Sequence, residues 1–249
     1  MIDAATAIAR CADLVETARR LGADAADAMT SAQASESVSI RLGKLEEVER
    51  SESESIGLRV FVGQRSASIN TSDFSPGSFA ELAERALAMA RLAPEDPYSG
   101  LAPENRLFAG ETPDLELRDP REPSPETLRE TALEAEDAAR AIPGVTNSNG
   151  GSAGFSHSVA ALVTSHGFAR GYEATGHSLS ASVIAGEGSR MQTDHDYRSA
   201  RHRADLPAPA EIGAEAGRRA VAKLDPVSMP SGQVPVVFDP RVGGGLIGH

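Results

Sequence analysis

Apolar residues recur along the chain with two periods, and the changes between them divide it into elements. Over residues 4–21 they fall at Ile8, Cys11, Val15 and Ala18, with Leu14 and Leu21 beside them, which is helical spacing. Gly22 supplies a C-terminal stop. Residues 24–70 change period. Val38, Ile40 and Leu42 alternate with Ser39 and Arg41, as in a half-buried strand, and a turn is expected at Gly43-Lys44. The acidic run Glu46–Ser55 reads as a charged edge strand, and Ile56–Val62 as a further strand that turns at Gly63 into Ser66–Asn70. The helical period returns over 78–92, where Ser78 and Glu81 have capping-box spacing and Phe79, Leu82, Ala83, Ala86, Leu87 and Ala90 form an apolar face.

Residues 93–125 hold seven of the 15 prolines, which removes backbone donors and regular structure, so this stretch reads as a connection. Ser124-Pro125 opens a third helix carrying Leu128, Ala132, Ala135 and Ala139 as far as Pro143. The Gly- and Ser-rich stretch 144–206 contains apolar bursts at Val159–Thr164, Phe168–Tyr172 and Leu179–Ala185. Turn signals at Ser165-His166-Gly167 and Gly186-Glu187-Gly188 separate them, so antiparallel sheet is expected. A fourth helix spans 209–224, and Val234–Phe238 reads as a strand leading into Gly243-Gly244-Gly245. Helices and strands are segregated, which predicts an α+β fold: two subdomains with antiparallel or mixed sheets and flanking helices. The expected division is 1–92, a Pro-rich connection 93–125, and 126–249 as the start of a second domain.

Hydrophobic residues make up 40% of the 249, enough for a sizeable core, although aromatics are only 4% and Trp is absent. Cys11 is the single cysteine, which excludes an intramolecular disulfide and predicts a small buried hydrophobe. A net charge of −12 argues against direct nucleic-acid binding. The acidic N-terminus is not a signal peptide and no apolar run is long enough to span a bilayer, so a cytoplasmic protein without membrane contact is expected.

None of the six histidines, 157, 166, 177, 195, 202 and 249, pairs with another at helical zinc-site spacing. Asp194, His195 and Asp196, with His202 nearby, form the densest ligand-like cluster, but the plainer reading is a polar loop or strand end whose side chains face water, and no metal site is expected. Gly243–Gly248 has dinucleotide-loop spacing but no Walker ending, and the plainer alternative is a turn into a helix. Gly150-Gly151-Ser152-Ala153-Gly154 has G-x-S-x-G spacing, but it lies in the Gly- and Ser-rich stretch where antiparallel sheet is expected, not at a strand-to-helix turn, so it is not taken as a nucleophile elbow. Neither catalytic nor cofactor-binding residues are expected.

Five blocks carry a family resemblance in order along the chain. They are Gly57-Leu58-Arg59-Val60-Phe61-Val62-Gly63-Gln64-Arg65, the stretch from Pro94-Glu95-Asp96-Pro97-Tyr98 to Ala102, Thr164-Ser165-His166-Gly167-Phe168, Thr175-Gly176-His177-Ser178-Leu179-Ser180, and Val234-Pro235-Val236-Val237-Phe238-Asp239-Pro240-Arg241. Together they resemble the PmbA (TldE-like) branch of the TldD/PmbA "modulator of gyrase" family of cytosolic peptidases. The resemblance implies a longer protein, of which this chain is the beginning. Catalytic TldD-like members carry an HExxxH zinc motif; aligned on them, Gly248 stands at the first His and His249 at the Glu. It therefore implies a non-metal-binding subunit, with zinc in a TldD-like partner, extended peptides as substrates, and pairing with that partner or self-association. Two alternatives stay open: an active metallopeptidase with a non-standard or C-terminal metal site, and a non-enzymatic modulator that binds gyrase or a toxin–antitoxin system.

Overall fold

A computed structural model describes residues 1–248. Five helices and six strands follow one another as α1 (Ala4–Arg20), β1 (Ala25–Arg41), β2 (Lys44–Val62), β3 (Arg65–Thr71), α2 (Ser78–Leu92), α3 (Pro125–Arg140), β4 (Val145–Thr164), β5 (Ala169–Ala185), β6 (Gln192–Ala200), α4 (Pro209–Ala222) and α5 (Pro240–Ile247). The strands form one antiparallel sheet in the order β3-β2-β1-β4-β5-β6. The fold is α+β, as the segregation of periods predicts. Strands from before and after the Pro-rich connection pair directly, β1 with β4 from Asp27↔Thr164 to Ile40↔Gly151.

Period-two alternation on β1 explains the layering. Ala26, Ala28, Ala32, Val38 and Ile40 are buried on one face, and that face carries both cores. Helices α1 and α2 cover one end, with Leu14, Leu58, Val60, Ala86 and Val159 in the first core. Helices α3 and α4 cover the other, with Leu128, Leu179, Val183 and Ile212 in the second. Among the described residues the opposite face has no helical layer. Its register rows carry small polar residues: Ser31, Ser35 and Ser37 on β1, Ser156 and Ser158 on β4, Ser178 and Ser180 on β5.

Several local expectations need correction. Residues 145–158 form the first two-thirds of β4, hidden in the sequence by glycines that the packing demands. A Cβ on Gly150 would lie 2.7 Å from the Ile40 carbonyl oxygen, and one on Gly151 would lie 2.3 Å from that of Ala132 on α3. Phe168–Tyr172 and Leu179–Ala185 are the two ends of the single strand β5. The hairpin turn falls at Leu42-Gly43 rather than Gly43-Lys44. Both turn residues have positive φ, and the buried carboxylate of Glu136 on α3 accepts from Leu42 N at 2.7 Å and Gly43 N at 2.9 Å. Ser78 is not a cap: Gly77, at φ +91°, occupies the N-cap of α2, and the Ser78 hydroxyl is buried without a partner.

Val234–Phe238 joins no ladder, and Val234, Val236, Val237 and Phe238 are all exposed. β-propensity reflects fit to a partnered, half-buried surface, and no sheet edge accompanies this run. The glycine run lies inside helix α5, whose N-cap Asp239 accepts from Arg241 N. No described helix is long and apolar enough to cross a membrane.

Candidate functional site

The ligand-like cluster is taken apart by strand alternation. Asp194 and Asp196 turn from β6 toward the helices and are 4% and 2% exposed, whereas the side chain of His195 between them turns outward. Asp194 meets Lys223 Nζ at 3.0 Å and Arg241 Nη1 at 3.1 Å; Asp196 meets Arg219 at 2.5 Å and Arg198 at 2.7 Å. Burial pushes the Asp194 carboxyl up, but the His195 N–H, Lys223 and Arg241 outweigh it, and its pKa falls to about 2. His202 lies apart and donates from Nε2 to the Glu116 carbonyl oxygen at 2.7 Å. These four residues pin α4 and α5 to β6 and hold the connection; they do not converge. Gly248 caps α5, donating to Gly244 O. His249 lies outside the described residues. Among the described residues no group of three or more potential metal ligands occurs.

A groove of about 930 Å³ lies on the helix-free side of the sheet. Met29 of β1, Ala160 and Leu162 of β4, and Tyr172 of β5 make its floor, and residues 112–118 of the Pro-rich connection make its wall. The wall exists because that segment is latched to the end of β5 that β6 leaves uncovered, since β6 pairs only from His177↔Ala200 onward. Thr175 N donates to Leu117 O at 2.9 Å, and Asp119 N donates to Thr175 Oγ1 at 2.8 Å. Asp119 is buried and accepts from Arg203 N and Arg121 N, each at 2.9 Å. Those two N–H groups hold its pKa below the ordinary value.

Behind the latch lies His177, 3% exposed, its ring 5.1 Å from that of Phe155 and its Nε2 3.4 Å from the Asp119 carboxylate without a hydrogen bond. Burial pushes the imidazole pKa down, against the pull of Asp119. A second latch closes on Glu173, whose carboxylate meets His157 Nε2 at 3.1 Å, Arg118 Nη1 at 3.3 Å and the Ala4 N–H at 3.3 Å.

Sequence reasoning treated residues 112–118 as a linker and missed this wall. The available signal was Leu115 and Leu117 alternating with Asp114, Glu116 and Arg118 between Pro113 and Pro120. That is strand-like alternation inside a proline cluster. Cys11, by contrast, is where composition puts it: fully buried, with burial pushing its thiol up to about 11.

The groove offers shape, apolar floor and main-chain groups, the chemistry of a binding surface. Comparison with known proteins agrees with the sequence blocks. Residues 26–90 match the family model for PmbA/TldA metallopeptidase domain 1, and residues 118–224 that for the PmbA/TldA metallopeptidase central domain. The metalloprotease PmbA of Escherichia coli O157:H7 is 37% identical over 95% of this chain and 53% of its own length. The crystal structure of a candidate modulator of DNA gyrase from Bacteroides thetaiotaomicron superposes with a TM-score of 0.87 at 24% identity, over 96% of this chain and 55% of that one. TldE from Thermococcus kodakarensis has the same fold, with a TM-score of 0.68 at 20% identity over 85% of this chain and 46% of that one. The chain spans about half the length of the curated relatives it matches. By its two matched domains and their shared sheet, the chain belongs to the PmbA/TldD family.

Proposed function

We propose that this chain is the PmbA/TldE-like subunit of a TldD/PmbA-type peptidase, binding extended peptide while the zinc chemistry resides in a TldD-like partner. The observation that carries the reading is the state of its own candidate ligands. Asp194 and Asp196 are neutralised by two cations each, and a carboxylate so paired has no charge left to draw a metal. His195 and His202 are separated by strand alternation and by the bond to Glu116. On the alignment that the family resemblance implies, Gly248 would stand at the first ligand position of the zinc motif, and glycine offers no side-chain donor.

The helix-free face with its groove gives such a subunit a place to present substrate. The net charge of −12 disfavours a nucleic-acid partner, and no described helix is long and apolar enough to cross a membrane; a cytoplasmic location is part of the same proposal. The test is elemental analysis of untagged protein purified without chelator, with a peptidase assay alongside. The expected result is no stoichiometric zinc and no cleavage by this chain, with cleavage on adding a TldD-like partner. Stoichiometric zinc, lost together with activity in a His195→Ala/His202→Ala variant, would overturn the reading in favour of an autonomous metallopeptidase.

A further inference from the structure

We infer that residues 103–115 of the connection form a strap that closes over the groove and seats Phe108 on its apolar floor, shielding Met29, Leu162 and Tyr172 from water. The consequence for access rests on the reading of the groove as a binding surface; the closure itself does not.

The first support is the tethering. At one end the Ala102 carbonyl oxygen accepts from Nδ1 of His166, in the β4–β5 turn, at 3.0 Å. At the other the carbonyl oxygens of Glu116 and Leu117 accept from His202 Nε2 and Thr175 N. Between these anchors the hydrogen bonds found among the described residues are local: Arg106 N to Pro103 O, Leu107 N to Glu104 O, and Glu116 N to the Asp114 carboxylate. The anchors stand at the two ends of the β5 segment Ala169–Thr175, which spans roughly 20–25 Å at the rise of a strand. The chain from Ala102 to Glu116 reaches about 48 Å when extended, so roughly half of it is slack. The floor lies within that reach. Leu162 precedes His166 by four residues, roughly 13 Å along β4, and Met29 pairs directly with Leu162. Phe108 is six residues from Ala102 and eight from Glu116, about 20 Å and 27 Å of extended chain.

The second support is the apolar surface left in water on both sides of the hollow. Met29, Leu162 and Tyr172 are 56%, 37% and 55% exposed, and Phe108 and Leu115 on the strap are 56% and 64% exposed. In the structure the strap stands open, and the Phe108 ring rests on its own segment: a Cβ on Gly110 would lie 3.0 Å from its Cζ. The tip Leu107-Phe108-Ala109-Gly110 is uncharged, with Arg106 and Glu111 outside it, so it enters the groove without burying a charge. Thr112 to Leu115 already line the groove with the floor residues, so closure moves only the tip. Two apolar surfaces on one tethered molecule gain by leaving water together. Tethering at both ends holds the tip at an effective concentration on the order of millimolar. An occupant of the groove competes with the strap, and its apparent affinity falls by the fraction closed.

The chain contains no Trp, so Phe108→Trp supplies a single fluorescent reporter. The experiment compares its quenching by acrylamide with that of Tyr98→Trp, at a position 95% exposed in the same connection. Closure expects quenching roughly threefold weaker at position 108, rising toward the Tyr98→Trp value when Met29→Ser and Tyr172→Ser are added. Equal quenching at the two positions, or weak quenching at 108 that the floor substitutions leave unchanged, would overturn the inference. A second readout uses the chain without a reporter. Trypsin cleavage after Arg106, followed by mass spectrometry, should be roughly threefold faster in Phe108→Ser than in the parent, because closure holds the bond beside the tip. An unchanged rate would also overturn it. Neither readout needs a peptide or a partner. Partner-dependent peptide cleavage beside a strap that fails both tests keeps the subunit reading and removes the strap; a strap that passes them without such cleavage does the reverse.

Discussion

The two ends of the sheet carry the same architecture, a helix pair on one face, but are held by different physics. The α1–α2 end is closed almost entirely by aliphatic side chains and alanine, with Cys11 among them. The α3–α4 end has an aliphatic core too, yet it also buries Glu136, Asp194 and Asp196, each bonded to a named backbone N–H or cation. Hydrophobic burial is non-directional and fixes distance more than register. A buried carboxylate has few acceptable positions, because leaving it unsatisfied costs more than any one contact returns. The carboxylates sit where the fold needs register: at the β1–β2 turn, along the edge strand β6 and, through Asp119, at the groove wall. The groove draws on both kinds of physics: its floor residues Met29, Ala160 and Leu162 lie over the aliphatic α1–α2 end, and its wall is held by the buried Asp119 carboxylate.

The comparison is tested most severely by deletion in the aliphatic end. Leu14 is fully buried, so Leu14→Ala should lower stability by about 3 kcal/mol, measured by urea denaturation, with little dependence on pH. Acid should act on the other end. The Asp194 pKa is depressed from 3.8 to about 2, so its stabilisation is present above pH 4 and lost as the pH falls through 2. The unfolded chain binds the proton first, and the shift corresponds to about 2 kcal/mol. Hydrogen exchange between pH 4 and pH 2 should therefore show β6 and α4 losing protection before α1 and β2. Uniform loss would dissolve the distinction. His177, whose pKa is lowered by burial, has the same sign at milder pH: its contribution is complete above 6.5 and declines below it, which should loosen the 117–121 latch first.

A smaller effect is expected at the hairpin. In Glu136→Gln the amide oxygen still accepts one N–H, but its NH₂ faces the second donor, so a loss of about 1.5 kcal/mol is expected in thermal melts. Exchange protection should fall at Leu42 and Gly43 before it falls in α1.

The same contrast governs what the sequence discloses. Helices α1, α2, α3 and α4 are legible because a helix carries its apolar stripe in its own residues. Strands β1 to β3 are legible by alternation. What escapes is whatever one segment dictates to another. Nothing near Leu42 announces a left-handed residue, since the reason is Glu136, 94 positions away. The glycines that hide the start of β4 are set by Ile40 and Ala132. The Asp194–Asp196 cluster looks like a ligand set only until Lys223, Arg219 and Arg241 are brought in. The family blocks show which fold is made; the groove wall at 112–118 needs the latch residues Thr175, His202 and Arg203 to be visible at all.

The smallest predicted effect concerns the bend that leaves the β5 edge open. Glu116 has φ +49°, a conformation that costs a side-chain-bearing residue about 1 kcal/mol, and its carbonyl is held by His202. Replacement by Gly removes that strain but loosens the unfolded chain by a similar amount, so Glu116→Gly should leave stability within about 0.5 kcal/mol of the parent. Glu116→Val should differ, because a β-branched residue tolerates the left-handed region worst, and a loss above about 1 kcal/mol is expected. Equal stability of the Gly and Val variants in urea would mean that the bend relaxes freely. The wall would then be set by the Asp119 anchor alone, without help from the turn at Glu116. If Val is the worse, the left-handed turn itself carries the connection away from β5, and the open edge is a product of local backbone geometry and the His202 bond.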